Sequence, residues 1–260
     1  MRIARFSYGE TVSFGVVDGD PARPETLSVT PIAGHPFAPF QLSGEPVALA
    51  DVRLLAPVLP SKVIGIGKNY ADHAREMGGE APAVPTIFLK PSTSVVGPAE
   101  PIALPAGAGT VHHEAELAVV ISRLCREVPA SRAKDVILGY TCANDVTDRD
   151  LQSSDGQWAR AKGADSFCPI GPWIETTVDP SRLRIGADVN GTVRQDGTTA
   201  DLLTGVDELV ALVSQTFTLL PGDVILTGTP AGVGPIVPGD FVSVTVEGIG
   251  TLTNRVVARD

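Results

Sequence analysis

Apolar and polar positions alternate with a period of two through Phe241 to Val246, where Val242, Val244 and Val246 oppose Ser243 and Thr245. The chain then turns near Gly248 and returns through Thr251 to Val257. Alternation of this kind sends successive side chains to opposite faces of a strand, so the C-terminus is predicted as antiparallel sheet. Arg184 to Arg194 carries Asn190-Gly191 between two short runs, the pattern of a type I′ hairpin. The first fifty residues alternate short apolar runs with Gly and Pro, as in Val12 to Asp20, and read as strands and turns. A period near 3.6 appears at Val206, Leu209, Val210, Val213 and Phe217, which predicts a helix over 206–219 capped by Thr204. A second helix is predicted over 131–138, stopped by Gly139. Pro-Gly-Asp recurs at 221–223 and 238–240, but each copy only precedes a strand, and no longer repeat is present. Many short strands with few helices predict a β-rich α/β fold. A small N-terminal β-rich domain is placed at residues 1–54 and a main domain, which holds every chemically informative cluster, at 55–260.

The chain has 260 residues, of which 43% are apolar and 19% charged, enough to bury a substantial core. Its formal net charge is −10 with Lys and Arg scattered, which argues against nucleic acid as a partner. An anionic metabolite would meet the same repulsion, so a site for one requires local positive charge, such as a bound cation. Met1 to Arg5 leads into polar and glycine residues, no run is long enough for a bilayer, and a cytoplasmic location is expected. Cys125, Cys142 and Cys168 form no CxxC pair and read as small buried residues of a reducing compartment.

Val111 to Ile121 reads as one strand whose second half is apolar on both faces. Glu114 and Glu116 then share a face roughly 6–7 Å apart, where two carboxylates repel by about 2.5 kcal/mol at an effective dielectric near 20. Either the strand end is wet, one carboxyl is protonated, or a cation lies between them. Asp145, in the acidic stretch that follows, is the candidate third ligand. Three carboxylates without a thiolate suit Mg²⁺, Mn²⁺ or Ca²⁺, while His112 on the same face leaves a mixed Zn²⁺ or Fe²⁺ site open. Asn69 to Gly79 has the form of a short helix, capped by Asn69 and ended by two glycines. His73 and Glu76, three apart, lie on one face of it, either as a surface ion pair or as an imidazole oriented to activate water.

Taken in order, GxNYxxHxxE at 67–76, ExE at 114–116, NDxxxRDxQ at 144–152, KGxD at 162–165 and TGTPAGVG at 227–234 resemble the fumarylacetoacetate hydrolase superfamily across nearly the whole main domain. The resemblance implies a mixed β-sandwich or β-roll, usually assembled as a homodimer, with Mg²⁺ or Mn²⁺ held by residues matching Glu114, Glu116 and Asp145. It makes His112 a structural or outer residue. It assigns His73 and Glu76 to a general-base dyad on a lid, and Lys162 and Gln152 to hydrogen bonds with the substrate or a developing oxyanion. Thr229 matches the residue that contacts the carboxylate end of the ligand, and Tyr70 and Lys90 are assigned to the pocket wall. The namesake's further acidic ligand upstream of the histidine has no counterpart in 63–68, which places the chain nearer the smaller, single-function members.

The expected activity is therefore on a small anionic 2-oxo acid: C–C hydrolysis of an acylpyruvate through a metal-bound enolate, with decarboxylation or 2-hydroxydienedioate isomerisation as alternatives on the same scaffold. A non-catalytic metal-dependent binding protein is the alternative of another class. Gly65-Ile66-Gly67 lacks the third glycine of a dinucleotide fingerprint, 227–234 lacks the lysine of a P-loop, and no GxSxG occurs.

Overall fold

The computed structural model describes residues 1–259. Its largest sheet has thirteen strands. The main path runs from Gln41–Leu42 through Ser28–Ala33, Thr11–Asp18 and Arg2–Tyr8 to Cys168–Glu175, Ile137–Asn144, Ala115–Ile121, Val224–Leu226, Val63–Gly67 and Thr86–Lys90. The N-terminal β unit is continuous with the main sheet because Arg2 and Ile3 pair with Glu175 and Ile174. A five-stranded sheet, in the order Ile102–Leu104, Gly250–Ala258, Phe241–Val246, Arg184–Val189 and Thr192–Thr198, packs against it. The core between them joins Leu117, Val119, Cys142 and Trp173 of one sheet to Ile185, Val244, Val246 and Leu252 of the other. This is the expected β-rich sandwich with its small N-terminal β domain, and all three cysteines are free and buried.

The period-two reading holds at the C-terminus, where Phe241 to Val246 pairs antiparallel with Gly250 to Arg255. Asn190 and Gly191 both have positive φ, at 54° and 77°, as a type I′ turn requires. The helix forms over Val206–Thr216, burying Val206, Leu209, Val210 and Val213. Its N-cap is Gly205 rather than Thr204, whose backbone N–H is taken by the Asn69 side chain at 2.9 Å.

Two further expectations are corrected. Over 131–138 the chain makes a 3-10 turn, Ala130–Asp135, and then enters the strand Ile137–Asn144. Gly139 does not stop a helix: it pairs with Val120, and a Cβ there would come within 2.4 Å of the Glu175 carbonyl oxygen. Close approach of two strands sets that residue, and burial of Val136 and Tyr140 overrides the local helical pattern. Asn69 likewise is no helix cap; Tyr70 holds that position. The buried Asn69 amide instead donates to the carbonyls of Thr204 and Thr227, tying the start of the 71–76 helix to two distant loops. Gly78, at φ 76°, does end that helix, as anticipated.

Candidate active site

The predicted strand 111–121 is broken at Glu114, with Val111–His113 in a separate three-stranded sheet and Ala115–Ile121 in the large one. At the break the Glu114 carbonyl accepts the Asp145 N–H at 2.9 Å and the Glu114 N–H donates to Asn144 Oδ1 at 2.9 Å. The register Ala115–Asn144, Glu116–Ala143 therefore sets Asp145 beside both glutamates. One carboxylate oxygen from each of Glu114, Glu116 and Asp145 lies within 4.8 Å of the others, and all three residues are buried.

Their charges are matched unequally. The Lys162 ammonium, on the short helix Ala159–Gly163, donates to Glu114 Oε2 at 2.9 Å, Asp145 Oδ2 at 2.6 Å and Thr147 Oγ1 at 2.7 Å. Lys90 pairs with the other Asp145 oxygen, and an Arg149 nitrogen lies 2.7 Å from Glu114 Oε1. Burial opposes ionisation of Glu114, but Lys162 and Arg149 outweigh it and hold that carboxyl below its ordinary range. Burial likewise opposes charge on Lys162, and Asp145 and Glu114 outweigh it, raising its pKa. Among the described residues Glu116 has no cation of its own. Burial first, then Asp145 and Glu114, push it well above the ordinary carboxyl value, against a hydrogen bond of 2.6 Å from the Gly228 N–H. A buried, all-oxygen trio in which Glu116 is left without a paired cation suits a hard divalent ion, so the residues fit Mg²⁺ or Mn²⁺. His112 is not part of it; burial and nearby Arg149 lower its pKa to about 4.

A cavity of about 290 Å³ opens over the trio. Its lining includes His73, Gln152, Lys162 and Thr229, together with Lys68, Arg149 and an apolar wall of Ile66, Phe88 and Trp158. The glycines of Gly65-Ile66-Gly67 serve that wall, since a Cβ would lie 2.1 Å from Phe88 at residue 65 and 2.6 Å from Trp158 at residue 67. Tyr70 and Lys90 are corrected: neither lines the cavity. Lys90 lies behind Asp145, and Tyr70 faces a neighbouring groove with Asp72, Asp196 and Asp201, its buried hydroxyl without a hydrogen-bond partner among the described residues. Burial, then Glu116 and Asp201, raise the Tyr70 pKa.

His73 Nδ1 lies 3.0 Å from Glu76 Oε2, and Glu76 Oε1 accepts the Gly232 N–H at 3.0 Å. A carboxylate in that position accepts a hydrogen bond from Nδ1–H, which favours the tautomer with Nε2 unprotonated and free to act as the base. The contact with Gly232 also docks the 71–76 helix onto the glycine-rich loop.

Two residues escaped sequence reasoning. Arg149 lies between Asp148 and Asp150, in a stretch whose charge gives no local sign of burial. Here its Nη1 donates to Gln152 Oε1 at 2.8 Å, which orients that side chain, and its Nε and Nη2 have no well-directed acceptor. Gln195, in the polar hairpin strand Thr192–Thr198, is only 1% exposed. Its Oε1 accepts from Ala115 N at 2.9 Å and lies 3.1 Å from His113 Nδ1. Its Nε2 donates to Thr229 Oγ1 and to the Pro230 carbonyl, each at 2.7 Å. Since the Pro230 oxygen can only accept and the Ala115 N–H only donate, the amide has one orientation, and the Thr229 hydroxyl is left free to donate into the cavity. Gln195→Ala is expected to lower stability by about 1–3 kcal/mol through the orphaned groups and to raise KM more than it lowers kcat. Thermal unfolding together with steady-state kinetics checks both.

Residues 62–257 match the fumarylacetoacetate (FAA) hydrolase C-terminal family, and residues 1–57 the Rv2993c-like N-terminal family. The structure is similar to that of 2-hydroxyhepta-2,4-diene-1,7-dioate isomerase from Mycobacterium marinum, at 53% identity and a TM-score of 0.94, covering 100% of this chain and 99% of that one. It is also similar to maleylpyruvate hydrolase from Sphingobium sp. SYK-6 in complex with manganese(II) and pyruvate, at 32% identity and a TM-score of 0.81, covering 100% of each chain. Among curated relatives, oxaloacetate tautomerase YcgM of Escherichia coli is 44% identical over 76% of this chain and 93% of its own length. With a family match over most of its length and a buried carboxylate trio of the divalent-cation type, the chain belongs to the fumarylacetoacetate hydrolase family of metal-dependent enzymes.

Proposed function

We propose that the protein is a divalent-metal-dependent isomerase that interconverts keto and enol forms of a small 2-oxo acid. The observation that carries this reading is a single acid–base pair across one cavity: the His73–Glu76 dyad on the 71–76 helix and the charged Lys162 among the carboxylates. Glu114, Glu116 and Asp145 would hold Mg²⁺ or Mn²⁺. When bound, that ion would polarise the 2-oxo group and acidify the adjacent C–H. His73 Nε2 takes the proton from the carbon next to the keto group, with Glu76 stabilising the imidazolium. Lys162, whose three N–H groups go to Glu114, Asp145 and Thr147, would turn one of them to the oxygen on which negative charge develops, and Arg149 and Thr229 orient the substrate carboxylate. The reverse sequence ketonises an enol, and neither direction needs an attacking water.

The similar isomerase and tautomerase favour this over the hydrolysis expected from the HxxE pattern alone. Hydrolysis is the second reading, supported by the dyad and by the hydrolase relative at 32% identity. Proton NMR of the Mg²⁺-loaded protein in D₂O separates them, using oxaloacetate, 2-hydroxyhepta-2,4-diene-1,7-dioate and acetylpyruvate. The expected result is accelerated keto–enol exchange with deuterium entering beside the keto group and no C–C cleavage, slowed on the order of 10²–10⁴-fold by His73→Gln. Release of acetate and pyruvate from acetylpyruvate, without accelerated exchange, would establish the hydrolase instead.

A further inference from the structure

Asparagine occurs at four positions, and three of them, Asn69, Asn144 and Asn254, are buried. Asn190 is exposed, and it alone is followed by glycine. That dipeptide is chemically labile. With no side chain on the following residue, the glycine backbone nitrogen can lose its proton and attack the asparagine Cγ. A carbon–nitrogen bond forms, the side-chain nitrogen leaves as ammonia, and water opens the resulting succinimide to aspartate or isoaspartate.

In the fold both reacting groups are occupied. The Gly191 N–H donates to Asp188 Oδ1 at 2.9 Å. That carboxylate holds the proton that must leave before the nitrogen attacks, and its negative charge opposes the amide anion. The Asn190 side chain is fixed at both ends, since Nδ2 donates to Asp240 Oδ1 at 2.8 Å and Oδ1 accepts the Phe241 N–H at 2.9 Å. Its backbone N–H donates to the Phe241 carbonyl, also at 2.9 Å. Asp240 is itself anchored, its second oxygen accepting the Val237 N–H at 2.8 Å. The clamp thus ties the turn to the neighbouring strand Phe241–Val246.

We infer that Asn190 is a latent deamidation site guarded by Asp188 and Asp240, and that its conversion to isoaspartate unseats Gln195 from the glycine-rich loop. Isoaspartate routes the main chain through the former side chain and adds one methylene to a two-residue turn. A type I′ turn has no room for it. The intact turn sets Val189 opposite Thr192 and Ala187 opposite Gln195. A longer turn displaces the strand Thr192–Thr198, and Gln195 then parts from Ala115, Thr229 and Pro230, whose contacts depend on that register. Attack requires the hairpin to open, so the rate of conversion follows local opening rather than exposure of the side chain.

The test incubates the full-length protein at mildly alkaline pH, folded and in urea, and follows isoaspartate at position 190 by peptide mass spectrometry. The folded wild type is expected to convert at least about tenfold more slowly than the unfolded chain. Asp188→Ala and Asp240→Ala should each convert at least about threefold faster than the wild type when folded, and at the wild-type rate in urea, which assigns the effect to the clamp. Asp188→Asn keeps an acceptor for the Gly191 N–H without the charge and should fall between Asp188→Ala and the wild type. The converted fraction carries one more negative charge, separates on an anion exchanger, and should melt below its unconverted counterpart. Equal rates for folded and unfolded wild type, or folded variants no faster than the wild type, overturn the guarding role. A converted fraction that melts with the unconverted one overturns the link to Gln195.

Discussion

Asp145→Ala is expected to abolish measurable turnover and to destabilise the fold at the same time. Asp145 touches two buried ammonium groups, accepting from Lys90 on one oxygen and from Lys162 at 2.6 Å on the other. Lys90 has no exposed side-chain surface and Lys162 3%, so neither charge is rescued by water. Breaking a buried pair by deleting one partner costs about 3–5 kcal/mol, because the orphaned charge remains. For a chain of this size that is a fall in Tm on the order of 10 °C. The loss of activity has a separate origin. Removal of one of three oxygen donors weakens the divalent ion, whose charge stabilisation is worth several kcal/mol, so kcat/KM should fall by roughly 10³-fold or more. Differential scanning fluorimetry with and without Mg²⁺, alongside the oxaloacetate exchange assay, measures both. A variant that keeps wild-type activity and its Mg²⁺-dependent rise in Tm would remove Asp145 from the metal site.

Glu116→Gln should have the opposite effect on stability and a similar one on function. Glu116 is the trio member without a cation, and at 4.8 Å or less each neighbouring carboxylate repels it by about 3 kcal/mol or more at an effective dielectric near 20, offset in part by Lys162. Its pKa in the folded protein is raised above the unfolded value, so the folded state binds this proton more tightly than the unfolded chain does. Stability of the metal-free protein is therefore highest at low pH as far as this group is concerned, and declines as pH rises from the unfolded carboxyl pKa to the higher folded one. A neutral amide of the same shape abolishes that decline. At neutral pH, metal-free Glu116→Gln should melt several degrees above the metal-free wild type, by roughly 2–4 °C per kcal/mol relieved. In Mg²⁺ the order should reverse, because the wild type gains binding energy that the variant lacks. A variant that melts below the wild type in EDTA contradicts the electrostatic account of the trio. Stability given up at a site for the sake of its ligand is a common arrangement in enzymes.

Much of the site is legible in the sequence, for a simple reason. Two glutamates at i and i+2 leading into an apolar strand, with an aspartate shortly after, are costly unless something binds them, and Glu114, Glu116 and Asp145 do converge. His73 and Glu76 at helical spacing do touch. What the spacing could not reveal is depth and partnership. Lys90 and Tyr70 were assigned to the cavity wall, but Lys90 lies behind Asp145 and Tyr70 faces the next groove. Arg149 and Gln195 lie in strongly polar stretches that look solvated, and only the closure of one sheet over the other buries Gln195 beneath the glycine-rich loop. The helix expected over 131–138 failed in the same way: local propensity was overridden by the edge-on approach of Gly139 to Glu175.

Local chemistry by itself determined the strands at 241–257, the Asn190-Gly191 hairpin, the 206–216 helix and the kinds of group that make up the site, because periodicity, turn preference and side-chain type are properties of neighbouring residues. Tertiary structure alone decided which cation neutralises which carboxylate, which leaves Glu116, among the described residues, without a paired cation. Those pairings join positions far apart, Lys90 to Asp145 across 55 residues and Gln195 to Ala115 across 80. They depend on strand register and sheet packing, which no local pattern encodes: a slip of one residue would turn every such side chain to the opposite face.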